Sequence, residues 1–194
     1  WSVSKNTIKS LINLKYEYDT SFFKSIFLYP AIFKIFYMHV IKGKFEKAIQ
    51  ILNRRDYLIP FESETDPFFI NSNMKKVSRT DIDSILEIPM PTVSKFMPPL
   101  WHTAGYVFGW KYLTKNLKKI IDKEKPFHYL IHPADFLDKK DLDPKYTQAL
   151  ERMSKINYSE KVQNLEDVLS LIISNGYEGV KLIDIAKHYR LNEN

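Results

Sequence analysis

The sequence of 194 residues contains no cysteine. This absence excludes a disulfide scaffold and every metal site that is built from thiolates. The sequence also lacks a GxGxxG fingerprint, a P-loop, a GxSxG elbow and an internal repeat. The sequence features that identify most dinucleotide-binding proteins, P-loop NTPases, serine hydrolases of the α/β type and solenoids are therefore missing.

The histidines do not form an HExxH motif, although His128 and His132 stand four residues apart. On a regular strand these two side chains point to the same face, about 13 Å apart by strand rise. That separation is too large for two ligands of one zinc ion. We therefore assign no metal ligand within this chain.

The composition and the charge favour a globular domain that does not bind nucleic acid. Hydrophobic residues make up 44% of the chain and aromatic residues 14%, with a net charge of +6. The lysines are scattered; Lys115, Lys118 and Lys119, for example, lie on what we predict to be the solvent face of a helix. No basic stripe is present, but a basic surface attracts anionic glycans or lipid headgroups.

Alternating strand and helix patterns predict an α/β fold with a largely parallel sheet or barrel. Ser4 is a candidate N-cap for the first helix. Residues 56–84 are predicted to form a long, polar, irregular segment, which is typical of a lid or a binding loop. The predicted strands are 16–19, 85–88, 127–132 and 177–180, and the predicted helices after the first are 44–53, 111–123, 145–157, 164–174 and 181–189.

The segment 22–41 is unusually rich in aromatic and aliphatic residues, but Lys24, Pro30 and Lys34 interrupt it. These interruptions argue against a membrane-spanning helix. We expect a helical insertion that buries its phenylalanines against the domain. The alternative is an interfacial element that makes peripheral contact with lipid.

The candidate for acid–base chemistry is His132. It ends the apolar run Phe127 to Ile131 and precedes a proline, so a buried strand would deliver it to a strand end, where α/β folds place catalytic groups. Asp135 and Asp19 are candidate partners, because a nearby carboxylate helps a histidine to act as a general acid. The alternatives are a structural histidine that closes a strand, a loop acid at 135 and a turn acid at 19.

Several segments, in order, resemble NodB-type polysaccharide deacetylases. Leu130-Ile131-His132 resembles the LxH motif of that family, and the run from Tyr129 to Phe136 resembles the "YxxHPxxF" form of one subgroup. The other matching segments are Trp1-Ser-Val-Ser4, which resembles the tail of the arginine–proline motif, Tyr16-Glu-Tyr-Asp-Thr-Ser21, which resembles "GYxYDSS", Glu87-Ile88-Pro89, and the closing Gly176 to Ala186.

The resemblance implies the C-terminal portion of a deformed (β/α) barrel, spanning 1–194 as part of a single domain with an insertion around 22–84. It implies hydrolysis of an N-acetyl or related acyl group from an amino-sugar polysaccharide or lipid-linked glycan. A divalent metal, usually zinc, would polarise the amide and bind water. His132 would protonate the leaving amine, with Asp19 or Asp135 as its orienting partner, and Trp1 and Trp101 would face the sugar.

The chain departs from the family in two respects. The family's Asp-Asp motif and its HxxxH metal ligands precede the segments that match here, and the sequence begins at Trp1 without a methionine. We therefore expect a fragment whose metal ligands lie before residue 1. The family's Asp-Trp motif is replaced by Tyr18-Asp19-Thr20-Ser21, which leaves the partner of His132 open. The alternative function is a non-catalytic carbohydrate-binding or membrane-surface protein that keeps the fold.

Overall fold

The computed structural model describes residues 3–22, 24–26, 28–52, 64–141 and 151–192. The chain divides into two compact units. The first contains the residues up to Pro99 together with those from Lys181 onward, and the second runs from Leu100 to Val180. The fold is mixed α/β, as the sequence predicts.

The first unit contains a small mixed sheet with helices around it. Its strands are β1 (Tyr18–Asp19), β2 (Phe68–Asn71), β3 (Lys76–Val77) and β4 (Ser84–Glu87), in the spatial order β1-β4-β2-β3. β1 and β4 are parallel, whereas β2 is antiparallel to both β4 and β3. The expectation of a largely parallel sheet is therefore wrong for these strands.

The helices along the chain are α1 (Lys5–Asn13), α2 (Leu28–Ile41), α3 (Phe45–Leu52), α4 (His102–Phe108), α5 (Trp110–Ile121), α6 (Glu151–Ser154), α7 (Tyr158–Ser174) and α8 (Leu182–Asn192).

The β2–β3 hairpin lies inside the segment that we predicted to be irregular. Phe68, Phe69 and Ile70 are buried, so this short run supplies core rather than loop. Asn71 closes the turn, since its side-chain oxygen accepts hydrogen bonds from the backbone N–H groups of Asn73 and Lys75. Residues 56–63 of the predicted loop lie outside the described residues.

The two faces of the sheet pack against α1 and α8. Ser4 caps α1 as predicted, accepting a hydrogen bond from the backbone N–H of Thr7. Alternation along β2 sends Phe68 and Ile70 to one face and Phe69 to the other. The first face forms a cluster with Val3, Ile8, Phe22 and Ile85, and the second face packs with Leu86, Ile88 and Ala186.

α2 and α3 form a hairpin of two helices packed against each other. Burial of the phenylalanines is confirmed for Phe22 but wrong for Phe33, which is 67% exposed, and Phe36 is half-buried. Phe23 and Phe27 lie outside the described residues. Across the described ranges, none of the helices has the length and apolar character needed to cross a membrane.

The second unit contains α4 to α7 and two short 3-10 helices, Pro133–Phe136 and Lys139–Asp141. The predicted strands 127–132 and 177–180 are wrong, because both segments are irregular. Their polar groups bond to helices rather than to a strand: Leu130 accepts from the backbone N–H of His102. Tyr177 donates its hydroxyl toward the carbonyl oxygens of Ile121 and Lys125.

Candidate functional site

His132 stands at the start of the 3-10 helix Pro133–Phe136, in an extended backbone conformation. Pro133 favours the turn that begins there, because its ring fixes φ and it needs no N–H partner in the first turn. The His132 side chain is exposed. Its backbone N–H donates to Oδ2 of Asp135 at 2.8 Å, and its carbonyl accepts from the backbone N–H of Asp135 at 2.9 Å. The turn therefore presents the imidazole to solvent on a fixed backbone.

Asp135 is fully buried and joins this turn to α4. Its Oδ1 accepts from the hydroxyl of Thr103 at 2.7 Å, so each carboxylate oxygen holds one donor. Its backbone carbonyl accepts from the hydroxyl of Tyr106 at 3.0 Å. The structure thus brings His132 and Asp135 together, but the carboxylate of Asp135 contacts the His132 backbone.

Lys161 of α7 contacts the segment that follows His132. It is fully buried, its ammonium donates to the carbonyl of Leu137, and it lies 5.6 Å from the centre of the Tyr106 ring. Burial lowers the pKa of Lys161, while the nearby carboxylates, among them Asp138 and Asp135, oppose that shift. A buried lysine needs such partners, so this contact stabilises residues 132–138 against α7.

His102, which was not a candidate from the sequence, forms the aromatic support behind this turn. It is fully buried, and its Nδ1 lies 3.1 Å from the hydroxyl of Tyr129. Burial lowers the pKa of His102, which favours the neutral ring. The rings around it are those of Tyr106, Trp110, Tyr129 and Phe136, with centroids 5.0 to 6.0 Å from its own.

Gly105 explains why these rings fit so closely. A Cβ at this position would lie 2.5 Å from the Trp110 ring, so only glycine allows that ring to approach α4. In the sequence, the glycine and the tryptophan five residues apart could have indicated this close packing. The cluster around His102 is buried and closely packed, which suits support rather than chemistry.

Asp19 lies in the first unit, at the carboxyl end of β1, where it pairs in register with Glu87 of β4. The two strands are parallel, so both side chains stand at the same edge and on the same face of the sheet. Glu87 is fully buried and its Oε1 accepts from the backbone N–H of Phe22 at 2.8 Å. Oδ1 of Asp19 accepts from the hydroxyl of Ser21 at 3.0 Å.

Burial beside Asp19 favours the protonated form of Glu87. Burial raises the pKa of Glu87 well above its usual value, and the negative charge of Asp19 and a hydrogen bond with Asp19 raise it further. The second oxygens of the two groups, Oδ2 of Asp19 and Oε2 of Glu87, are buried and have no other hydrogen-bond partner among the described residues. A proton on Glu87 allows this carboxyl group to donate to Asp19.

Glu87→Gln should stabilise the protein at alkaline pH. The native state keeps on Glu87 a proton that the unfolded chain releases above the ordinary pKa of 4.5. This contribution to stability is complete below that pKa and is lost as the pH rises through the raised pKa of the folded state. Glutamine keeps the acceptor for Phe22, stays neutral and donates to Asp19, so we expect a gain of about 1–2 kcal/mol at pH 9 and little change near pH 4.5.

Thermal or urea unfolding across pH 4.5 to 9 measures this effect. Asp83→Asn is the matched control, since Asp83 is an exposed carboxylate in the same unit. A Glu87→Gln variant that is less stable than the parent at every pH would show that Glu87 is ionised in the fold.

The remaining predicted residues lie elsewhere. Trp101 is half-buried and immediately precedes α4, and Trp1 lies outside the described residues. The part of the chain that the structure describes holds no group of three or more His, Asp or Glu side chains able to hold a metal ion. Comparison with protein-family models, with curated proteins and with solved structures gave no match.

Proposed function

We propose that this chain belongs to a metal-dependent hydrolase that removes an N-acetyl or related acyl group from an amino sugar in a glycan. In this proposal His132 is the general acid, and the chain contributes to a deformed (β/α) barrel of the deacetylase type. The observation that carries the proposal is the exposed imidazole of His132 on a backbone that the buried Asp135 holds.

A general acid must reach the leaving group and must do so from a fixed position. His132 meets the first requirement because its side chain is exposed. It meets the second because Asp135 and the carbonyl of His132 close the turn around its backbone. A positioned imidazole can donate a proton to a leaving group, so this side chain suits protonation of an amine as the C–N bond breaks.

The metal of the proposed reaction is not assigned to the described residues, because they contain no suitable cluster. In this proposal its ligands come from outside the described residues. When bound, such an ion polarises the amide carbonyl and lowers the pKa of a water molecule. The residues of this chain are proposed only to donate the proton and to contact the sugar.

Trp101, and Trp1 outside the described residues, are the proposed sugar contacts. Aromatic faces cover the apolar C–H surface of a sugar ring. Trp101 is half-buried, so part of its side chain is accessible. The Asp19–Glu87 pair remains the second candidate site for proton transfer, since Glu87 has a raised pKa and the two carboxyl groups lie at the end of parallel strands.

The direct test is release of acetate by the intact protein from N-acetylated chito-oligosaccharides, measured together with the free amine that forms. We expect equal amounts of acetate and amine, loss of both after treatment with EDTA, and recovery on addition of Zn²⁺. O-acetylated oligosaccharides identify the bond that is cleaved. A protein that binds the oligosaccharide but releases no acetate under any of these conditions would be the carbohydrate-binding alternative.

A further inference from the structure

We propose that the hairpin of α2 and α3 is a docking surface for an anionic lipid bilayer. This surface, here called the hairpin face, consists of two apolar rows and the lysines beside them. The rows are Phe33, Tyr37 and Ile41 on α2, and Phe45 and Ile49 on α3.

The two rows are exposed although they are apolar. Phe33, Ile41 and Phe45 are 67%, 64% and 61% exposed. Residues four apart lie on one side of a helix, and the rings of Phe33 and Tyr37 stack with centroids 6.5 Å apart. Isolated exposed apolar residues are ordinary, but neighbouring ones such as this stacked pair mark a surface that binds something.

α2 is apolar on nearly all sides. Its packed side includes Ile32, Phe36 and Val40, which are half-buried, while Ile35 and Met38 are exposed in addition to Phe33 and Ile41. A helix that is apolar all round is normally covered all round. The exposed half of α2 therefore needs a second apolar partner.

The hairpin face is held by ordered backbone. α2 ends in a turn in which the N–H groups of Gly43 and Lys44 donate to the carbonyl oxygens of Val40 and His39. Gly43 has φ +66, a conformation that favours glycine and ends the helix. α3 begins at once with Phe45, and its Ala48 is buried. The turn thus fixes the second apolar row directly after the first.

The charges around the two rows identify the partner. Residues 28–52 carry four lysines, Lys34, Lys42, Lys44 and Lys47, and one acid, Glu46, a net charge of +3. All four lysines are exposed, and in the described ranges none of them forms an ion pair. Long lysine side chains place their stems on apolar surface and their ammonium groups at the polar boundary.

An anionic bilayer matches both the exposed apolar rows and the lysines of the hairpin face. Its headgroups attract the lysines, and the acyl boundary accepts the aromatic and aliphatic side chains. A second copy of the chain fits less well, because two hairpin faces would bring net charges of +3 together. The proposal uses neither His132 nor the acyl substrate, so it stands or falls independently of the proposed hydrolase function.

Liposome co-sedimentation of the intact protein tests the proposal, with vesicles of phosphatidylcholine alone and with 30% phosphatidylserine (about one-third anionic lipid). We expect binding to the anionic vesicles at least about tenfold stronger than to neutral ones, weakening as salt rises. Phe33→Ser with Ile41→Ser should reduce binding about tenfold or more, and Lys42→Glu with Lys44→Glu should remove the preference for anionic lipid.

The matched controls lie away from the hairpin face. Ile82→Ser removes an apolar side chain that is 97% exposed, and Lys118→Glu with Lys119→Glu reverses two exposed lysines of α5. Both controls should bind like the parent, and circular dichroism melts should show that every variant is folded. Equal loss of binding in the controls, or no sedimentation of the folded parent with anionic vesicles, would overturn the proposal. Self-association that Phe33→Ser with Ile41→Ser abolishes, without vesicle binding, would assign the hairpin face to a second copy instead.

Discussion

His132→Ala in the intact protein should lower turnover of an N-acetylated oligosaccharide by about 10²–10⁴-fold, the usual cost of losing a general acid. The imidazole is exposed and its backbone is held by Asp135, so the substitution removes the proton donor and leaves its support in place. We expect kcat to fall with little change in KM, because protonation of the leaving amine matters in the transition state.

Two comparisons distinguish this role from others. An N-acetyl arylamine expels a much weaker base, so the deficit of the variant should shrink on that substrate. His188→Ala removes another exposed histidine, on α8, and should leave turnover unchanged. Loss of bound zinc from His132→Ala would instead make His132 a metal ligand, and an increase in KM alone would make it a binding residue.

The parts of the fold that the sequence predicted are those with local signals. Ser4 predicts the start of α1 because it caps that helix, and the spacing of Leu113, Leu117 and Ile120 predicts α5. Residues 181–189 likewise form most of α8. Caps and helical periodicity act over one or two turns, so they can be recognised without knowledge of the tertiary structure.

The predictions of secondary structure were wrong where contacts with distant parts of the chain decide the local structure. Residues 127–132 have an apolar composition typical of a strand, but the carbonyl of Leu130 bonds to the start of α4 instead of a neighbouring strand. Phe68 to Ile70 were too few to be recognised as a strand, yet pairing with β4 on one side and β3 on the other makes them the centre of the sheet.

In the candidate sites too, the sequence predicted the local features but not those that depend on tertiary contacts. His132 and Asp135 are three residues apart, so their proximity could be predicted, although the contact through the His132 backbone could not. From the sequence, Glu87 could be identified only as part of the predicted strand 85–88. Its pairing with Asp19 could not be predicted, because it depends on the parallel register of β1 and β4. Segment 22–41 shows which residues are apolar but not which side of α2 is covered, so the exposure of Phe33 required the structure.

Asp135→Ala should disrupt the presentation of His132 while leaving the imidazole in the protein. The substitution removes the acceptor of the Thr103 hydroxyl and of the His132 backbone N–H. Each donor that is left in a buried position without an acceptor costs about 1–3 kcal/mol. We expect a loss of about 3 kcal/mol in the free energy of unfolding, faster hydrogen exchange over residues 132–137, and turnover reduced about tenfold or more through misplacement of the ring.

Asp135→Asn and Thr103→Val resolve this effect into its parts. The asparagine carbonyl can still accept from the His132 N–H, and its amide can donate to the Thr103 hydroxyl, so this variant should retain most of the stability and turnover. Thr103→Val removes only the donor from α4, so it should leave exchange at His132 slow. If Asp135→Ala slowed turnover while exchange over 132–137 stayed at the parent rate, the carboxylate would act on the reaction itself, and Asp135 would be more than a positioning residue.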